Sequence, residues 1–253
     1  MDLGIAGRHA AVAAASAGLG LSCARALVRE GVHVTICGRA AERVEDAAAV
    51  LRAQAGGGAE VVGLVADVAT SAGATGFVEQ AAGYRPVDIL VTNAGGPPPG
   101  TFASTDLAAY GPALELNLLS TVAMCKAAVP PMAERGWGRV VAITSITVRQ
   151  PAAALILSNT ARAGATGFLK TLATEVAGRG VTVNSLQPGL HATARLRALH
   201  GGDVSGLGAG LPTGTIGDPD DFGAVAAFLC SMQARFVTGV ALQVDGGGFP
   251  GLL

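Results

Sequence analysis

Two short stretches of this chain combine residue types and spacings that chemistry can use. The first is Ala14-Ala15-Ser16-Ala17-Gly18-Leu19-Gly20, a small-residue turn lying between a β-branched run and an alanine-rich helical stretch. A helix that opens inside such a turn aims free backbone N–H groups and its positive dipole end at whatever sits before it. Glycine lets that ligand approach the backbone closely. The chemistry suited to such a place is capture of a pyrophosphate, with Ala14, Ser16, Gly18, Leu19 and Gly20 as the contacting residues. The second stretch is Ser158-Asn159-Thr160-Ala161-Arg162, where the four-residue spacing places a hydroxyl and a guanidinium on one face of a helix.

Several elements must position these residues. Short apolar runs at 9–14, 32–37, 61–65, 87–91, 138–144, 181–187 and 239–244 read as strands. Between them, 18–30, 40–54, 70–82, 106–134, 153–177 and 218–230 carry apolar residues at helical spacing. Strict alternation of strand and helix predicts an α/β fold, a doubly wound parallel sheet of about seven strands of Rossmann type. Ligands of such sheets bind beyond the carboxyl ends of the strands, so the loops that follow the strands should build the site. Residues 94–104 contain Pro97-Pro98-Pro99, which excludes both helix and central strand and predicts a rigid rim. Residues 190–217, rich in glycine beyond 201, predict a flexible flap over a substrate pocket.

Composition limits the partners. Half of the 253 residues are hydrophobic, 14% are charged and the formal net charge is −1, which predicts one domain with an ample core and no nucleic-acid face. The four cysteines are scattered without ligand spacing and predict buried free thiols rather than a metal site. The beginning of the chain shows neither a basic nor an apolar leader region, and no apolar run reaches membrane length, so a cytoplasmic protein without a membrane partner is expected. The partner should be a small molecule.

The ordered positions Gly18 and Gly20, Asp67-Val68, Asn93-Ala94-Gly95, Asn117, Ser145, Pro188-Gly189 with Thr193, and the closing Val244-Asp245-Gly246-Gly247 resemble the short-chain dehydrogenase/reductases along nearly the whole chain. The resemblance is to a divergent group similar to 3-oxoacyl-carrier-protein reductases. It implies a nicotinamide dinucleotide as cofactor, with Asp67 and Val68 holding the adenine, Asn93, Ala94 and Gly95 lining the cofactor, and Pro188, Gly189 and Thr193 beside the nicotinamide. It implies Asn117 and Ser145 as catalytic positions, and a homo-oligomer, tetramer or dimer. Ala13-Ala14 stands where the family carries Thr-Gly, so a Cβ at Ala14 should narrow the phosphate turn. The second strand ends in Gly38-Arg39 with no acidic residue to accept from a ribose 2′-OH, while the Arg39 fork suits a 2′-phosphate, so NADP(H) is expected in preference to NAD(H).

The departure lies on the helix after the fifth strand. The family places Tyr-x-x-x-Lys thirteen residues beyond its catalytic serine, and that register in this chain gives Ser158 and Arg162. In relatives the tyrosine donates a proton. A serine hydroxyl is a far weaker acid and is shorter by a ring, so Ser158 should fall short of a substrate carbonyl. Arg162 stays protonated, so it can anchor ribose hydroxyls and supply charge but cannot shuttle protons. His191, at the root of the flap, is the nearest titratable substitute; a surface histidine is the plain alternative. Tyr84 and Tyr110 are poorly placed, and Lys126 and Lys170 fit solvated helix ends. Three functions follow: an NADP-linked oxidoreductase on a carbonyl or alcohol with an atypical site, a non-redox enzyme on the same scaffold, or a dinucleotide-binding protein without turnover.

Overall fold

The computed structural model of the chain describes residues 1–204 and 206–252. Seven strands form one parallel sheet in the order β3-β2-β1-β4-β5-β6-β7: β1 His9–Val12, β2 His33–Gly38, β3 Val61–Val65, β4 Ile89–Thr92, β5 Gly138–Ile143, β6 Val181–Pro188 and β7 Ala241–Val244. Pairing is parallel throughout, for example Ala10 beside both Val34 and Ile89. The order reverses between β1 and β4, which opens a crevice at their carboxyl ends. Among the described residues no helix is long and apolar enough to cross a membrane.

Side-chain alternation along the strands sends each apolar set to its own layer. Val12, Val34, Ile36, Ile89, Val91, Val141, Ile143 and Leu186 enter a core with α1 (Gly18–Arg29), α2 (Ala41–Arg52) and α8 (Pro219–Cys230). Ala11, Ala13, Cys37, Leu90, Val140, Ala142, Val181 and Val183 enter a second core with α3 (Ser71–Tyr84), α5 (Ser120–Glu134) and α6 (Ile156–Val176). Each fully buried Leu, Ile, Val or Phe contributes about 1.5–3 kcal/mol. The same burial sets the thiol chemistry. All four cysteines are free and buried, and desolvation pushes Cys37, Cys125 and Cys230 up to about 12 and Cys23 higher still, which makes them packing groups rather than nucleophiles.

Two expected elements end differently. The strand expected over 9–14 stops at Val12, because Ala14 turns into the left-handed region at φ +47°, alone among the described non-glycine residues. The single helix expected over 106–134 is broken into a 3-10 turn at Leu107–Ala109, α4 (Tyr110–Leu114), a π-helical turn at Glu115–Leu119 and then α5. Apolar periodicity survives one inserted residue, so the π turn was invisible to pattern reading. Glu115 of that turn accepts hydrogen bonds from the Ser71 N–H at 2.6 Å and the Ser71 hydroxyl at 2.7 Å, tying the irregular segment to the start of α3.

Residues 190–217 carry a helix, α7 (Ala194–Leu199), and a 3-10 turn at Leu207–Gly210. The segment closes on itself where His191 pairs with Gly217. Ser205, within the expected flap, lies outside the described residues.

Candidate active site

The turn between β1 and α1 has the geometry its sequence demands. The α1 N-cap, Ala17, is extended at φ −167° and supplies no side-chain cap, and no acidic side chain occupies the first turn. The N–H groups of Gly18, Leu19 and Gly20 therefore have no backbone partner beyond the helix among the described residues. Gly18 sits at φ +61°. A Cβ on Gly20 would meet Asn93 Nδ2 at 2.8 Å and the Ala14 carbonyl oxygen at 2.9 Å, so glycine is what allows α1 to lie this close to β1 and β4. Asn93 Nδ2 donates to that same Ala14 carbonyl at 3.2 Å. The narrowing expected from Ala14 thus takes the form of a strained residue braced by Asn93, within a cradle a dinucleotide's phosphates fit.

At the neighbouring end of β2, a Cβ on Gly38 would meet Ser16 Oγ at 2.9 Å, which puts the Ser16 hydroxyl next to Gly38-Arg39. Arg39 is exposed and forms no ion pair or hydrogen bond among the described residues. Beyond β3, Val68 is buried. Asp67 is exposed and accepts from the Ala69 N–H at 3.0 Å, so it shapes a turn, while Thr70 caps α3. Beyond β6, Gly189 passes so close to β7 that a Cβ would meet Asp245 Cα at 2.8 Å, and its N–H donates to the Val244 carbonyl at 2.9 Å. Thr193 caps α7 through the Leu196 N–H at 3.2 Å. It also borders Gly18 across a cavity of about 300 Å³ that Ser22 and Asp218 help to line.

Asn117, Ser145, Ser158 and Arg162 gather around the carboxyl ends of β4 and β5. The π turn buries Asn117, whose Nδ2 donates to the Gly95 carbonyl at 2.8 Å while its Oδ1 is left buried without a partner, an acceptor that a water or substrate donor can satisfy. Ser145 Oγ accepts from both the Thr147 N–H at 3.1 Å and the Thr147 hydroxyl at 2.9 Å, so its own proton is left for an outside acceptor. One turn along α6 from partly buried Ser158, whose hydroxyl has no partner among the described residues, Arg162 donates through Nη1 to the carbonyls of Ile143 at 2.9 Å and Thr144 at 3.1 Å. Burial and then the charge of Arg195 bring its pKa down to about 10, which leaves it cationic at neutral pH.

His191, at the root of the expected flap, is not a surface histidine. It is 5% exposed, its ring meets Phe222 edge-on at 5.2 Å, and Nδ1 donates to the Gly189 carbonyl at 3.3 Å. A Cβ on Gly217 would meet the ring at 2.7 Å, so the imidazole is enclosed on that side too. Burial lowers its pKa, keeping it neutral. Tyr84 is the last residue of α3 and is 58% exposed, Tyr110 opens α4, and Lys170 is exposed with Nζ on the Gly239 carbonyl at 3.0 Å. Sequence reasoning missed Thr147 and Arg195. The Ser-x-Thr spacing was available for the first. Nothing distinguished Arg195 from Arg197 until the phase of α7 was known.

Similar proteins are known along nearly the whole chain. The family profile described as enoyl-(acyl carrier protein) reductase matches residues 13–248. Dehydrogenase/reductase SDR family member 4 of Homo sapiens is 33% identical over 247 residues, 96% of this chain and 88% of that protein. The 3-oxoacyl-(acyl-carrier-protein) reductase FabG of Salmonella typhimurium is 33% identical over 242 residues, 95% of this chain and 97% of that one. The crystal structure of L-sorbose reductase from Gluconobacter frateurii, complexed with NADPH and L-sorbose, superposes with a TM-score of 0.91 at 31% identity and covers 100% of both chains.

Proposed function

Because the chain belongs to the short-chain dehydrogenase/reductase family, we propose that it is an NADP(H)-dependent oxidoreductase interconverting a carbonyl and an alcohol, with an atypical proton-handling site. The observation that carries this reading is the uncapped start of α1, where Gly18, Leu19 and Gly20 offer free N–H groups beside glycines that leave room for phosphates. Ala14 and Asn93 brace that turn, and Ala94 and Gly95 continue the lining. Ser16 and Arg39 hold the 2′-phosphate, Asp67 and Val68 border the adenine, and Pro188, Gly189 and Thr193 flank the nicotinamide. When bound, the nicotinamide supplies or accepts the hydride. The L-sorbose reductase complexed with NADPH and the FabG reductase support both the coenzyme and the carbonyl chemistry.

The remaining work falls to this chain's own side chains. Ser145, with its acceptor sites filled by Thr147, donates a hydrogen bond to the substrate oxygen and polarises it while keeping its proton. Arg162 anchors ribose hydroxyls and places positive charge near the developing oxyanion. Ser158 and Arg162 occupy the places that tyrosine and lysine hold in the family, so the proton comes from a water on Asn117 Oδ1 rather than from a phenol, and bulk solvent returns a proton to the hydroxide left behind. Residues 190–217 form the flap, and the assembly is a homotetramer or dimer. A second reading, dinucleotide binding without turnover, draws on the enclosure of His191 and the partnerless Ser158 hydroxyl.

Titration of the protein with NADPH and NADH by nicotinamide fluorescence, followed by consumption assays on a ketone panel, tests these readings. NADPH should bind and be consumed. Arg39→Ala should weaken NADPH by about 10–100-fold, the loss of a charge-assisted contact of ~1.5–3 kcal/mol, and NADH by no more than about twofold. Binding without consumption selects the second reading, and failure of either coenzyme to associate removes both.

A further inference from the structure

We propose that the substrate carries an oxyanion, a carboxylate or a phosphate, which Arg195 receives beside the carbonyl-binding residues. Arg195 lies on α7, two residues beyond Thr193, and reaches back over the rim that follows β4. Its Nη2 donates to the Pro97 carbonyl at 3.3 Å. The guanidinium fills the space above Gly96, where any Cβ would collide with it. The three following prolines make that seat rigid, so the one residue without a side chain stands where the cation rests.

Arg195 does not rest there against an acid. Among the described residues neither Arg195 nor Arg162 takes part in an ion pair, and only Arg195 acts by its charge on Arg162. An exposed cation beside a buried one raises the free energy of the empty site unless a counterion arrives. Arg195 uses only Nη2 and keeps the rest of its fork free, while Arg162 adds its charge nearby. A carboxylate or phosphate can take such forks two-pronged. Arg195 is exposed, so a substrate can reach it. The partner is the substrate rather than the coenzyme because Arg195 seats on the rim after β4, beside the Gly95 carbonyl that holds Asn117, whereas the free N–H groups of α1 and the Arg39 fork already serve the coenzyme's phosphates.

This inference deepens the reductase reading and rests on it, so its test needs a readout that survives the loss of turnover. On the coenzyme-loaded protein, acetoacetate is compared with methyl acetoacetate, and dihydroxyacetone phosphate with dihydroxyacetone, by calorimetry and by nicotinamide fluorescence. One anionic probe should bind at least about tenfold more tightly than its neutral counterpart. That preference should vanish in Arg195→Met and be partly kept in Arg195→Lys, with NADPH affinity within about twofold of the unchanged protein. Equal binding of charged and neutral probes, or a preference that persists in Arg195→Met, overturns the proposal. Weakened NADPH binding with the preference intact also overturns it, by assigning Arg195 to the coenzyme. Should no coenzyme associate, the reductase reading fails alone. The same calorimetry on the free protein then decides this one: an anion preference lost in Arg195→Met supports it, and no anion binding overturns it.

Discussion

Thr147 donates twice to one oxygen of Ser145, from its N–H at 3.1 Å and from its hydroxyl at 2.9 Å, and so fixes the direction of the serine proton. Thr147→Val keeps the shape and the N–H donor but removes the hydroxyl donor. The Ser145 hydroxyl then gains a rotamer in which its proton points away from the substrate. The net worth of such a bond is ~0.5–1.5 kcal/mol, so kcat for carbonyl reduction should fall by about 2–10-fold with KM little changed. A rise in KM alone would instead place Thr147 in substrate binding.

The strand β1 and the turn after it set a different test. Ala14 stands at φ +47°, a conformation costing a non-glycine residue roughly 1–2 kcal/mol. Ala14→Gly should therefore leave urea stability unchanged or raise it by up to about 1 kcal/mol, strain relief outweighing the extra freedom of glycine in the unfolded chain. Ala13→Gly, one residue earlier and fully buried at ordinary φ, should lower it by about 1 kcal/mol or more. If both variants lose stability equally, Ala14 is unstrained.

Both effects show what the sequence could and could not disclose. Alternating strand and helix patterns sufficed for the sheet, because a one-residue slip in a strand buried on both faces would break both cores at once. The tight strand-to-helix turn was legible because glycine at Gly18 and Gly20 permits the positive φ and the close approach found there. The seat of Arg195 was hidden because it depends on where a six-residue helix lands against a proline rim, which no local periodicity encodes. The burial of His191 was hidden for a similar reason. A polar residue near a strand end reads as exposed, and only the return of the chain at Gly217 encloses it.

That enclosure makes the fold acid-sensitive. His9 is buried with Nδ1 on the Arg85 carbonyl at 2.9 Å and Nε2 beside the Thr35 hydroxyl at 2.9 Å, and burial lowers its pKa as it does that of His191. The unfolded chain binds protons at these two histidines from about pH 6.5 downward, while the folded chain resists until its lower values are reached. Stability is therefore fully present above about pH 6.5 and declines as pH falls, by up to about 1.4 kcal/mol per pH unit for each histidine. Urea midpoints at fixed ionic strength should drop between pH 7.5 and pH 5.5. A flat profile would mean that neither ring is desolvated.

The glycines of the phosphate turn separate crowding from strain. Gly20→Ala would push a methyl against Asn93 Nδ2 and the Ala14 carbonyl, breaking the brace between β4 and the turn, and should cost about 1–3 kcal/mol and abolish measurable NADPH binding. Gly18→Ala meets nothing nearer than the Thr193 methyl at 3.9 Å and suffers only its positive φ, so about 1 kcal/mol is lost. Calorimetric NADPH titration of both variants should separate them by at least about tenfold in affinity.

The pair on α6 permits the most direct test of the chemistry. Ser158 has a hydroxyl without a partner among the described residues, and Arg162 holds the Ile143 and Thr144 carbonyls through one nitrogen. Ser158→Tyr with Arg162→Lys would install a phenol with an ammonium one turn away. The ammonium can occupy the same carbonyl cradle and lower the phenol's pKa toward working range. Ketone reduction by NADPH should appear or rise by about 10²-fold or more, the usual contribution of a positioned general acid. It should also acquire a pH profile in which reduction falls off at alkaline pH as the phenol loses its proton. A fall from an already measurable rate would show the opposite: Ser158 and Arg162 would be a working native pair, tuned to a substrate whose own oxyanion at Arg195 takes part in the proton transfer that tyrosine performs elsewhere.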